Sequence, residues 1–199
     1  MTRIEHLKAV PDELIQAVAD EYPLGSEITP EEIYDFTLCL LMHKSTEENP
    51  YYCYEVTRAL AFSRDWEFSD KAHFVLIMKA LRMLEDLTQN YLRQNHGDIS
   101  DLKELPYDSI ELMEETYPFG SAIHPAKIHE FVLGFIVRNI PTYPKPYARY
   151  RLIKALVTTD RWEMSDRARG CILYEALRTL EVITQDYIVQ TDDYKKVHK

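Results

Sequence analysis

Between Lys145 and Arg169 the chain gathers seven cations, Lys145, Arg149, Arg151, Lys154, Arg161, Arg167 and Arg169. Ammonium and guanidinium groups in such density can hold phosphate, nucleic acid or the carboxylates of an acidic protein. A net charge of −10 and the absence of any C2H2, RRM or KH signature disfavour nucleic acid, although a local patch outweighs net charge within a Debye length. Tyr143, Tyr147 and Tyr150 lie among these cations. Tyr mixed with Arg is what interface hot spots are made of, which favours a protein partner.

No reacting constellation accompanies the cations. The glycines stand singly at Gly25, Gly97, Gly120, Gly134 and Gly170, so no phosphate-cradling loop is present. His124 and His129 are five apart and do not share a helix face, and no Glu-x-x-His occurs. Asp70-x-x-His73 comes nearest to a ligand spacing. Cys39, Cys53 and Cys171 form no C-x-x-C pair and read as small core residues in a reducing compartment. Arg82 and Glu85, and likewise Arg178 and Glu181, have the spacing of a helical ion pair, with a structural rather than catalytic role. The expectation is therefore a protein without catalytic residues, metal or cofactor.

These residues sit on a framework that the chain writes twice. Pro11 to Leu38 aligns with Pro106 to Leu133, and Pro50 to Tyr91 with Pro146 to Tyr187, with 29 of 70 positions identical. Unrelated segments of this composition would match at about one position in fifteen. The sequence reads as a tandem duplication, residues 1–97 and 98–199, joined near Gly97 to Leu105. Each copy predicts about four helices, giving an all-α fold of two units packed as a pseudo-twofold pair.

Within each copy, Pro11 or Pro106 opens a short helix that ends at Tyr-Pro-x-Gly-Ser. Thr29-Pro30-Glu31-Glu32 reads as a capping box, with His124-Pro125 in its place in the second copy. Ile33, Phe36, Leu40 and Leu41 follow at helical spacing, as do Ile128, Phe131, Phe135 and Ile136. YYCYEV could pass for a strand, but its counterpart YARYRL could not, so a third helix is expected there. Ser69 and Ser165 cap the longest helix, whose face carries Val75, Met78, Leu81, Leu84, Leu87 and Tyr91.

Charge separates the copies. Residues 1–100 carry 9 basic and 18 acidic side chains, residues 101–199 carry 14 and 15. Glu27, Glu31, Glu32, Asp35, Glu47, Glu48 and Glu55 form an acidic set in the first copy, and Glu55 aligns with Arg151. Such runs usually face water. The functional expectation is a non-enzymatic adaptor, inhibitor or immunity-type protein that engages another protein through these divergent faces, as a monomer or homodimer. The alternative is a phosphate-ligand or nucleic-acid binder using the basic patch. With no apolar leader in the first twenty residues and no run long enough to span a bilayer, the expected location is the cytoplasm.

Overall fold

The computed structural model describes residues 10–43, 50–96, 104–142 and 145–189. Glu47, Glu48, Gly97, Tyr143 and Pro144 lie outside them, as do the side chains of Tyr91, Gln185 and Tyr187. The chain is mostly helical. Eight α-helices run in order: α1 Asp12–Ala19, α2 Ile33–Met42, α3 Pro50–Leu60, α4 Asp70–His96, α5 Tyr107–Glu114, α6 Ile128–Asn139, α7 Pro146–Leu156 and α8 Asp166–Val189. No helix among the described residues is long and apolar enough to cross a membrane. The described residues divide into two compact units, one of residues 10–91 with 184–189 and one of residues 92–183.

In the first unit α1 packs on α2 and α2 on α3. Pro11, in extended geometry, opens α1, and Asp12 and Glu13 place negative charge at its positive end. Leu14, Ile15 and Val18 form its buried stripe. After α1 the chain turns through Gly25, whose φ of 80° is left-handed and cheap only for glycine. The turn does more than end a helix. Gly25 N–H bonds the Asp65 carbonyl at 2.8 Å, Glu67 N–H bonds the Ser26 carbonyl at 3.0 Å, and β1 Glu27–Ile28 pairs in parallel with β2 Glu67–Phe68.

This miniature sheet departs from a purely helical expectation. It arises because two loops with unsatisfied backbone groups meet, and pairing them is cheaper than burying them alone. Trp66 locks the junction. Its indole N–H donates to the Tyr22 carbonyl at 2.9 Å, and the Phe36 ring lies edge-on between Tyr22 and Trp66, with centroids 5.0 Å from each.

The second unit makes the same contacts with its own residues. Pro106 opens α5, and Gly120 turns with φ 78° and donates to the Arg161 carbonyl at 2.8 Å. Ala122 bridges Glu163, Trp162 Nε1 donates to the Tyr117 carbonyl at 2.8 Å, and Phe131 lies between Tyr117 and Trp162. A buried bond from Ser109 Oγ to Asn139 Oδ1 ties α5 to α6.

Capping follows the sequence with one addition. The Glu32 carboxylate accepts from Thr29 N–H at 2.9 Å and from its hydroxyl at 2.7 Å, and α2 begins at Ile33, a turn later than Pro30 suggests. His124 does not abandon the cap, because its Nδ1 accepts from Ala126 N–H at 3.3 Å, at the head of the short 3-10 turn Pro125–Lys127. Ser69 and Ser165 accept from Ala72 and Ala168 N–H, both at 3.2 Å.

The long helices bury a narrower row than their large apolar residues suggest. In α4 the buried positions are Ala72, Leu76, Ile77, Ala80, Leu81, Leu84, Glu85 and Thr88, with Val75, Met78 and Leu87 half-buried on the flank. In α8 they are Ala168, Ile172, Leu173, Ala176, Leu177, Leu180, Glu181 and Thr184. Alanines let neighbouring backbones approach, so small residues mark the inner face as firmly as large ones.

Candidate functional site

The seven cations of the second unit occupy several environments. Lys145 is exposed at the start of α7, and Arg149, one turn on, is half-buried, with an Nε that makes no hydrogen bond within the protein. Arg151 and Lys154 are half-buried and three apart on α7, roughly 160° around the helix from Arg149 in the case of Arg151. Arg161 is exposed, with its guanidinium 5.6 Å above the Phe119 ring. Arg167 is exposed in the first turn of α8. Arg169 donates to the Val157 carbonyl and, at 3.4 Å, to that of Thr159. It thereby satisfies acceptors left open past the end of α7. α7 thus splits its cations between two sides, and Arg169 is engaged with backbone.

The acidic residues of the first unit converge more closely. Glu27, Glu31, Glu32 and Asp35 are exposed around the start of α2. The Thr29 hydroxyl and amide hold the Glu32 carboxyl below its usual pKa and so keep it ionised. Glu21 arrives from the end of α1 and accepts from Cys39 Sγ at 3.4 Å. Tyr22 feels this cluster: burial, and then the charges of Glu21, Asp35, Cys39 and Glu32, push its hydroxyl pKa upward. Glu55 does not belong to this exposed set. It is 3% exposed, and burial drives its pKa to about 7.

Beside these acids α2 presents a second apolar row. Tyr34, Leu38 and Met42 are 66%, 42% and 63% exposed. Spaced by four, they form one ridge along the helix. Lys79, reaching from α4, holds the first of them. Its ammonium lies 4.8 Å from the centre of the Tyr34 ring and donates to the Thr37 hydroxyl. Burial lowers the Lys79 pKa, and the Asp35 charge opposes that.

In the second unit α6 exposes Leu133 and Val137, at 51% and 56%. There His129 stands at the position aligned with Tyr34 and Glu175 at that aligned with Lys79, and His129 Nδ1 lies 3.4 Å from Glu175 Oε1. Its charges are largely paired: Lys127 with Glu130 at 2.9 Å, and Arg138 with Glu115 at 3.8 Å, while Arg138 also donates to the Leu112 carbonyl and the Thr116 hydroxyl.

One buried stripe per helix, the pattern expected of an amphipathic helix, does not account for these exposed rows. The signal was nonetheless present. IYDFTLCLLM carries more apolar residues than a single inward face can take.

Other groups offer little chemistry. Burial raises the thiol pKa of both Cys39 and Cys53, which disfavours the reactive thiolate. No group of three or more potential ligands that could hold a metal ion occurs among the described residues. Arg82 and Arg178 are exposed while Glu85 and Glu181 are buried. The Arg178 guanidinium lies 6.0 Å from the centre of the Tyr174 ring. No family profile, curated protein or solved structure matches the chain.

Proposed function

We propose that the protein is a non-enzymatic protein-binding module, of adaptor, inhibitor or immunity type, in which a duplicated helical unit presents two faces of like geometry and different charge. Duplication is supported by the aligned sequence and by paired contacts at aligned positions: Trp66 to Tyr22 with Trp162 to Tyr117, and Gly25 to Asp65 with Gly120 to Arg161. The observation that carries the binding reading is the pair of exposed apolar rows, Tyr34–Leu38–Met42 and Leu133–Val137. Large apolar residues of α3 and α7 are mostly buried, whereas α2 and α6 each leave a row in water that includes the aligned pair Leu38 and Leu133; such rows call for a partner.

The test is capture from nuclease-treated source extract with wild type, Leu38→Ser/Met42→Ser and Leu133→Ser/Val137→Ser proteins, each first shown to keep its helical circular dichroism. A protein retained by wild type and lost by one serine pair supports the reading. Identical capture by all three, or recovery of nucleic acid alone without nuclease, refutes it.

A further inference from the structure

We infer that the α2 face of the first unit docks a basic amphipathic helix of a partner protein, an inference that rests on the protein-binding reading above. Three observations specify the occupant. The first is shape. Tyr34, Leu38 and Met42 make an i, i+4, i+8 ridge of about 12 Å, the element that seats between the side-chain rows of another helix.

The second is preorganisation. Tyr34 is largely exposed, yet its ring rests on the Lys79 ammonium, which the Thr37 hydroxyl holds in turn. An aromatic anchor fixed before contact loses little conformational freedom on binding.

The third is charge. Glu21, Glu31 and Asp35 make no ion pair among the described residues, and Glu32 is bound only to Thr29. Glu31, Glu32 and Asp35 thus lie at the Tyr34 end of the ridge and Glu21 at Cys39, beside Leu38, where their exposed carboxylates can meet cations from outside. The corresponding rim of the second unit is answered internally by Lys127–Glu130 and Arg138–Glu115. Complementary potential favours a partner whose leucine-like seam is flanked by Lys or Arg, and favours it at the first unit.

The test uses the full chain and a designed, fluorescein-labelled amphipathic peptide of about eighteen residues, with a leucine seam flanked by lysines and arginines, against a scrambled peptide of the same composition. Fluorescence anisotropy should show the helical peptide binding at least about tenfold more tightly than the scrambled one. Leu38→Ser/Met42→Ser, which leaves charge unchanged, should weaken it about tenfold, and Glu31→Gln/Asp35→Asn should weaken it and flatten its salt dependence. Leu133→Ser/Val137→Ser should leave it unchanged.

Equal binding of the scrambled peptide, or indifference to the serine pair, overturns the inference. So does a dimer by light scattering that the serine pair dissociates, since a second copy would then cover the ridge. If the peptide fails while Leu38→Ser/Met42→Ser still removes a captured protein from extract, the basic helix falls and the binding face stands. If both fail, the protein-binding reading falls as well.

Discussion

Replacing Glu55 with glutamine should stabilise the protein at pH 8 and change little near pH 4. The Glu55 carboxyl is buried, and its pKa rises from 4.5 to about 7, because desolvation outweighs the Tyr51 hydrogen bond and the Arg58 charge. Between those two pH values the folded protein holds a proton that the unfolded chain has released. The free energy of unfolding therefore falls as pH rises through this window. Below it both states are protonated and burial of the charge costs nothing; above it the folded state bears the whole cost.

At about 1.4 kcal/mol for each tenfold in proton affinity, that cost is roughly 3 kcal/mol. For a chain of this size it corresponds to about 6–12 °C in Tm. Glutamine keeps the shape and hydrogen-bonding capacity but cannot ionise. Thermal melts of both proteins from pH 4 to 8 should give curves that coincide at the acid end and diverge with pH, the variant melting higher. A difference independent of pH, or a less stable variant at pH 8, would mean that the surroundings hold the carboxylate ionised, and the desolvation argument would be wrong.

Other substitutions test the framework. Gly25→Ala and Gly120→Ala should each cost about 1–2 kcal/mol in chemical denaturation. The φ values of 80° and 78° set that cost, since nothing lies within 4 Å of an added Cβ at either site, and a much larger loss would implicate packing. Trp66→Phe and Trp162→Phe should each cost about 2–3 kcal/mol, because the Tyr22 and Tyr117 carbonyls lose their donors and a void opens in each aromatic stack; a loss under about 1 kcal/mol would show that the indole bond is dispensable. Arg169→Gln should cost about 1–3 kcal/mol through the Val157 and Thr159 carbonyls, whereas the exposed Arg167→Gln should fall within about 0.5 kcal/mol of wild type, both read by urea denaturation.

Helices were legible wherever two local signals coincided. Pro11 and Pro106 begin helices, Ser69 and Ser165 cap them, and YYCYEV is helical as its counterpart YARYRL requires. Long-range pairing was not legible. Nothing near Glu27 announces Glu67 as its partner, because a two-residue ladder has no period to read. Burial of charge was hidden for a related reason. Glu55 and the exposed Asp35 look alike in a string of acids, and only the packing of α3 separates them. Arg169 likewise resembles Arg167 until the end of α7 is brought beside it.

The positions that bridge α2 to α4, and α6 to α8, carry different chemistry in the same kind of contact. Lys79 supports the Tyr34 ring by a cation–π contact, and at the aligned positions Glu175 meets His129. A carboxylate and an imidazole stand where the first unit has a cation and a ring, and in each unit the two side chains meet between the helices. Exchange of both partners together avoids the cost of leaving either without its neighbour. It also alters what lies outside. The first unit keeps a tyrosine on its exposed ridge beside open carboxylates, while the second presents a histidine on a rim whose charges are paired internally. Residues 27–35 carry four acidic and no basic side chains and the aligned residues 122–130 one of each, so half of the eight-charge difference between the halves lies around the start of the second helix, beside the apolar rows through which we propose that partners bind, and it gives each row its own selectivity.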